Sequence, residues 1–589
     1  MARHRGLPIT VAVLVSLTLS ACGSPGTTER AATAAPPAPP SGDAAFVALA
    51  HELIADYTRR HPSQATYLGI HTYDNRLEDY SRAAVADEVS ALRGFRTRVS
   101  AIDPAGLSAA NQLDREQVLH AIDSSLLSLE VVKPWTTYPD FYSSGITGSA
   151  YLMIKREFAP PETRLRQLIA REKSMPAVLA EARRNLENPA RIYTEIAIEQ
   201  ADGNRGFFKD VVAAAFPAVT DAALLAEFKQ ANDAVVAALG EYKTWLETDL
   251  LKRSTGSFAF GAETYRKKLA ADEMIEVPLE QLLAVAEADL RKNQTAFAET
   301  ARQIDAKKTP RQVLAMIEAD HPPPAKLLAV TQGELDAIGR FMSDRHIVTV
   351  PNAPPAKVQE TPPFLRATTS ASMEIPGPFE ATATEAYYNM TLPDPKSSAR
   401  ETSDFMRQWY FAAISNVSVH EVWPGHYLQF LYAKQFPSEV RKVFGAASNA
   451  EGWAHYCEQM VIDEGFHAGD PRYRLAQIQD ALLRDARFVV GIKLHTQGMT
   501  VPEAEAFFVK EAYQAEPVAR SETKRGTSDA TYGYYTMGKL MILKLRDDYR
   551  GRQGSAYSLQ GFHDTFIKLG PLPLPLIRKA MLGEVGTIF

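Results

Sequence analysis

His420 and Glu421 open the stretch VHEVWPGHYLQ, and a second histidine, His426, follows six residues after the first. Imidazole and carboxylate side chains are common ligands of a zinc ion, and a glutamate next to a ligand histidine is the base of many zinc hydrolases. In the His-Glu-x-x-His form of this motif the histidines are four residues apart. They sit about 40° apart around one helix and can share a cation. A spacing of six puts them about 120° apart and about 9 Å along the axis. An uninterrupted helix would therefore aim His420 and His426 at different places. Pro424 and Gly425 lie between them. Proline lacks an N–H, and its ring clashes with the carbonyl four residues back, here that of His420. Glycine accepts backbone angles that other residues avoid. The pair is expected to bend the chain by the missing fraction of a turn and bring His426 round.

A catalytic zinc site needs a third protein ligand and an open position for water. NAEGWAHYCEQM offers Glu451, His455 and Glu458 at i, i+4 and i+7, on one helix face. Glu451 is the leading candidate. A competing reading makes Ser448-x-x-Glu451 a capping box that spends the carboxylate on a helix start. His455 reads as packing or support. Glu458 reads as the acceptor for the other N–H of a ligand histidine, or as the partner of a nearby cation.

VHEVWPGHYLQ followed by EGWAHYCE resembles the DUF885 family of bacterial proteins, often lipoproteins, itself similar to gluzincin metallopeptidases. HPSQATYLGIHTYDNRLEDYS (61–81) and LGPLPLPLIRKAML (569–582) are similar to its terminal patterns, so the likeness spans nearly the whole mature chain. The resemblance implies that His420, His426 and Glu451 hold one zinc ion and that Glu421 is the general base. RFVVGIKLHTQGMT matches a family segment at Arg487 and His495 but carries Gly491 and Lys493 where the family has an acidic residue and a glycine. SETKRGTSDATYGYYTMGKL lacks the family's Pro-Gly-Gln yet keeps Arg525 and Tyr535. Tyr535, Arg525 and His495 are thus candidate donors to a transition-state oxyanion. Tyr534 and Tyr535 are adjacent and are not expected to face one pocket from a helix.

Zinc held by two neutral imidazoles and one carboxylate keeps a net positive charge. Its bound water can lose a proton at a pKa near 7. Glu421 would take that proton and deliver it to the leaving amine. The expected activity is a zinc-dependent peptidase acting on short peptides. Two alternatives share the residues: a metal-dependent hydrolase of a non-peptide amide or ester, and a non-catalytic peptide-binding lipoprotein.

The elements that must position these residues read as mainly helical. Apolar residues recur at helical spacing from Ala44 onward, and again after Ser398. Strand signals concentrate between residues 340 and 395, in RHIVTVPNAP (345–354) and FEATATEAYYNMTLPDP (379–395). The expectation is a large helical body with a small β-sheet near 340–395, of gluzincin-like architecture. AYYNMTLP (386–393) is a candidate edge strand for pairing with an extended substrate. A helical subdomain over 44–340 and a metal-site subdomain over 341–589 would divide the body.

The chain of 589 residues is 46% hydrophobic and 23% charged, with a formal net charge of −6, which argues against a nucleic-acid surface. Arg3 and Arg5 precede a short apolar run ending in LSAC, which resembles a lipobox. Residues 1–21 read as a signal peptide and Cys22 as the lipidated residue anchoring the protein to an extracytoplasmic membrane face. Residues 22–43 read as a Pro-rich tether. Only Cys457 remains, so no internal disulfide framework is expected.

Overall fold

Amphipathic spacing builds most of the chain. In the first helix, Asp43–Arg60, the buried residues Phe46, Leu49, Ala50, Leu53 and Ile54 follow a helical repeat. The computed structural model describes residues 42–361 and 370–589. Residues 1–21, read as a signal peptide, Cys22 and nearly all of the segment read as a tether lie outside the described residues. The tether ends slightly earlier than its composition indicates. Gly42 donates its N–H to Gly106, and the Asp43 carboxylate accepts from Ser108.

The fold is mainly helical with one small three-stranded sheet, as the hydrophobic pattern predicts. One apolar core joins helices Asp140–Ile154, Pro161–Asn185 and Ala222–Thr248 through residues such as Tyr142, Leu168, Val235 and Leu246. The largest core runs from Leu113 to Leu582, so it gathers residues from both sides of position 340. Its axis is the helix Pro471–Thr496, buried on every side between Asp485 and Ile492. A helix buried on every side belongs in the middle of a large protein. Gly491, where the sequence departs from the pattern it resembles, is in close contact here. A Cβ on it would lie 2.8 Å from the Ala530 carbonyl oxygen.

The sheet comprises β1 (Lys357–Glu360), β2 (Ala371–Glu374) and β3 (Tyr387–Met390), in the order β1-β3-β2. β3 pairs parallel with β1, Val358 opposite Tyr388, and antiparallel with β2, Met373 opposite Tyr388. This corrects the edge-strand expectation. The AYYNMTLP segment supplies the central strand, with Tyr388, Asn389 and Met390 buried and with β1 and β2 on its two sides. The segment 345–354 forms no strand. Its backbone groups find side chains instead of a ladder. Thr349 donates its N–H to Asp564 and accepts from the Tyr432 hydroxyl.

His71 ties the N-terminal helices to the loop that leaves β2. Its Nδ1 is 2.8 Å from Asp74 and its Nε2 is 3.0 Å from Glu380. Burial lowers the imidazole pKa, but these two carboxylates more than reverse it, and the pKa is raised above 6.5. Folding therefore favours the protonated ring. Its stabilisation should be complete below pH 6.5 and fade as pH rises through the raised value. Denaturant midpoints across that range should fall with pH in the wild type and fall less steeply in His71→Gln.

Candidate metal centre

The helix Phe411–Glu421 stops one residue after His420. The N–H groups of Val422 and Trp423 both donate to Ser418, and that of Gly425 donates to Val419 at 3.1 Å. The chain folds back so tightly that a Cβ on Gly425 would lie 1.9 Å from the His420 carbonyl oxygen. Only glycine fits there. The Trp453 indole donates to the Pro424 carbonyl at 2.8 Å and fixes the bend from the neighbouring helix. A new helix, His426–Ala433, then starts on the second histidine. The two imidazole rings end 4.8 Å apart and nearly perpendicular. The proline–glycine interruption thus does what the sequence required of it.

Glu451 enters from the helix Ala447–Asp463. Its Oε2 lies 3.4 Å from His420 Nε2 and 3.3 Å from His426 Nε2. Zinc bonds of about 2.0–2.1 Å at tetrahedral angles place neighbouring ligand atoms about 3.3 Å apart, so the spacing suits one zinc ion. Glu451 Oε2 is buried and makes no hydrogen bond among the described residues. A carboxylate oxygen left so beside two imidazole nitrogens fits a cation between them. Among the described residues, His420, His426 and Glu451 form the one cluster of this kind, with ligand atoms within 4.8 Å of one another. The capping box does not form. Ser448 bonds to Glu273, which leaves Glu451 free for the cluster. The Glu451 side chain keeps 26% exposure, so one side of the site is open.

Behind the cluster, Glu458 Oε1 lies 2.7 Å from His420 Nδ1. The Nδ1–H donates to it, which leaves Nε2 as the ring nitrogen facing Glu451. Glu458 is fully buried. Burial alone would raise its pKa, but Arg484 at 3.1 Å, His455 and His420 hold it well below the carboxylate range. His455 supports Glu458 through Nδ1 at 3.1 Å. Burial and Lys539 push the His455 pKa down to about 3, so its ring is neutral. Replacing Glu458 by glutamine should weaken zinc binding by about 10- to 100-fold, read by competition with a chelator of known affinity.

Glu421 Oε2 accepts the backbone N–H of Met373, in β2, at 3.1 Å. Tyr535 stands over the other face of the cluster, its ring parallel to His420 at 6.3 Å. Burial and then the Glu451 charge raise the Tyr535 pKa against the pull of Arg487 and Arg525, so the hydroxyl stays a donor. Arg525 Nη2 reaches the Tyr534 hydroxyl at 2.9 Å and that of Tyr535 at 3.5 Å. The two tyrosines do face one group, contrary to the helical expectation. They begin the helix Tyr534–Gln553, and their rings stack at 5.0 Å. Arg487 is held by Glu522 and lies 5.0 Å from the Tyr535 ring.

His495 is not available to a substrate. It is 1% exposed, its Nε2 donates to the Gly526 carbonyl at 2.8 Å, and its Nδ1 accepts the Phe260 N–H. It fastens one helix to the next, and the oxyanion candidates reduce to Tyr535 and Arg525. Four contributors escaped the sequence reading: Arg484, Asn416, Trp453 and Met373. Asn416 lies one turn before His420 and bonds both Glu458 and Asp480. Its helical spacing from His420 was a usable signal, as was the place of Trp453 two residues after Glu451. Arg484 and Met373 carried none.

Fold and site together define a helical protein with a two-histidine, one-glutamate cluster and a second glutamate bonded to a strand backbone. The chain belongs to the DUF885 family, described as bacterial proteins of unknown function, whose family model matches residues 62–581. A solved protein from Shewanella oneidensis, described as "a putative lipoprotein of unknown function", is 27% identical. It matches over 91% of this chain and 99% of its own, with a TM-score of 0.78. A second such lipoprotein structure, from Colwellia psychrerythraea, is 17% identical over 92% of this chain and 99% of its own, also with a TM-score of 0.78, and shows the shared fold. No curated protein matches the chain. Among the described residues no helix is long and apolar enough to cross a membrane.

Proposed function

We propose that this protein is a zinc-dependent peptidase, attached to an extracytoplasmic membrane face through Cys22. The supporting observation is the pairing of a ligand cluster at zinc spacing with Glu421, the residue after one ligand, bonded to the backbone of β2. When bound, zinc would supply a water acidified to a pKa near 7 and a positive charge to polarise a carbonyl. Glu421 takes up the proton at its carboxylate and returns it to the leaving amine. Met373 holds that carboxylate against β2, so the base and the strand along which a peptide backbone would lie share one contact. The Tyr535 hydroxyl, backed by Arg525, donates to the oxygen on which charge develops. Glu458 and Arg484 keep His420 in the tautomer that presents Nε2.

Metal quantitation on residues 44–589, joined to digestion of a peptide library and a panel of non-peptide amides and esters, tests this reading. One zinc per chain and cleavage of peptides support it. Absence of stoichiometric metal would overturn it, and turnover confined to the non-peptide panel would replace the peptidase with another hydrolase.

A further inference from the structure

We propose that an apolar cavity beside the metal cluster receives a large apolar side chain of the substrate, on a residue flanking the bond that is cut. This rests on the peptidase reading and narrows its substrate class. The cavity measures about 280 Å³. Two elements that build the cluster, and the strand bonded to Glu421, also build its wall. The helix beginning at His426 contributes Phe430, one turn on, with its ring nearly parallel to the His426 imidazole at 5.8 Å, and then Ala433. The helix that carries Glu451 contributes Ala450, the preceding residue. β2, whose Met373 bonds Glu421, runs on to Ile375. Leu68 and Phe444 add to the apolar lining.

This shared construction fixes the occupant. Phe430 lies one turn after the ligand His426 and Ala450 directly precedes the ligand Glu451, so the cavity wall begins one residue from the cluster. The side chain that enters therefore belongs to a residue next to the reacting carbonyl. The cavity is just below the roughly 300–1,000 Å³ of pockets that enclose whole small molecules. It suits one side chain of the size of leucine, methionine or phenylalanine. Apolar walls favour such a group because its burial removes apolar surface from water.

A peptide library varied at both residues flanking the cleaved bond tests the inference, using the zinc-loaded protein. At one of the two positions, kcat/KM should be at least about tenfold higher for phenylalanine or leucine than for alanine. Ala433→Phe, which fills the cavity from its wall, should reduce that ratio at least about tenfold. Ala433→Leu should reduce it by less, and serves if the bulkier variant does not fold. Equal cleavage whatever the side-chain size, or a ratio unchanged by both variants, would overturn the pocket and leave the peptidase standing. Failure to cleave any peptide would overturn the peptidase reading itself, and the pocket assignment with it.

Discussion

Glu421→Gln is expected to keep its zinc and lose about 100- to 10,000-fold in kcat. Glutamine has nearly the shape of glutamate, and its amide oxygen can still accept the Met373 N–H. It cannot take up a proton near neutral pH. Glu421 lies outside the His420, His426 and Glu451 cluster, so metal content should match the wild type. Because the lost function operates in the transition state, kcat and kcat/KM should fall together, with KM little changed. Equal turnover by the variant and the wild type would remove Glu421 from the role of base. A fall in zinc content would instead make it part of the metal shell.

Gly425→Ala should have an effect as large by a different route. The new methyl group would stand 1.9 Å from the His420 carbonyl oxygen and 2.4 Å from that of Val419, both backbone atoms that cannot rotate aside. The bend must open. Forcing extra volume into a packed site typically costs about 1–3 kcal/mol, so the denaturation midpoint should drop. Opening the bend also carries His426 away from His420 and Glu451, whose ligand atoms meet only because the helix restarts at residue 426. Zinc stoichiometry should fall towards that of His426→Ala, and activity with it. A Gly425→Ala protein with full metal and a wild-type midpoint would show that the bend does not assemble the cluster.

Much of the site was legible in the chain because its signals are local. His420, Pro424, Gly425 and His426 fall within seven consecutive residues, and the geometry of one helical turn shows why a proline and a glycine must separate that pair. Glu451 was harder. A capping box reads the same residue equally well, and the choice between them lies with Glu273, which takes Ser448 from far along the chain. Tyr534 and Tyr535 were misread because the rule for helix faces applies to the interior of a helix, and both stand at its first turn.

By itself the sequence determined the helical body, the approximate position of the sheet and the bend that brings two histidines together. Periodicity and local sterics act over a few residues and need no partner. Only the tertiary structure decided which strand is central, that His495 is spent on backbone groups, and that Arg484 keeps Glu458 charged behind His420. Those outcomes depend on which buried polar groups meet across the fold. A buried charge or an unpaired N–H is satisfied by whatever packing places beside it, and no spacing along the chain records that neighbour.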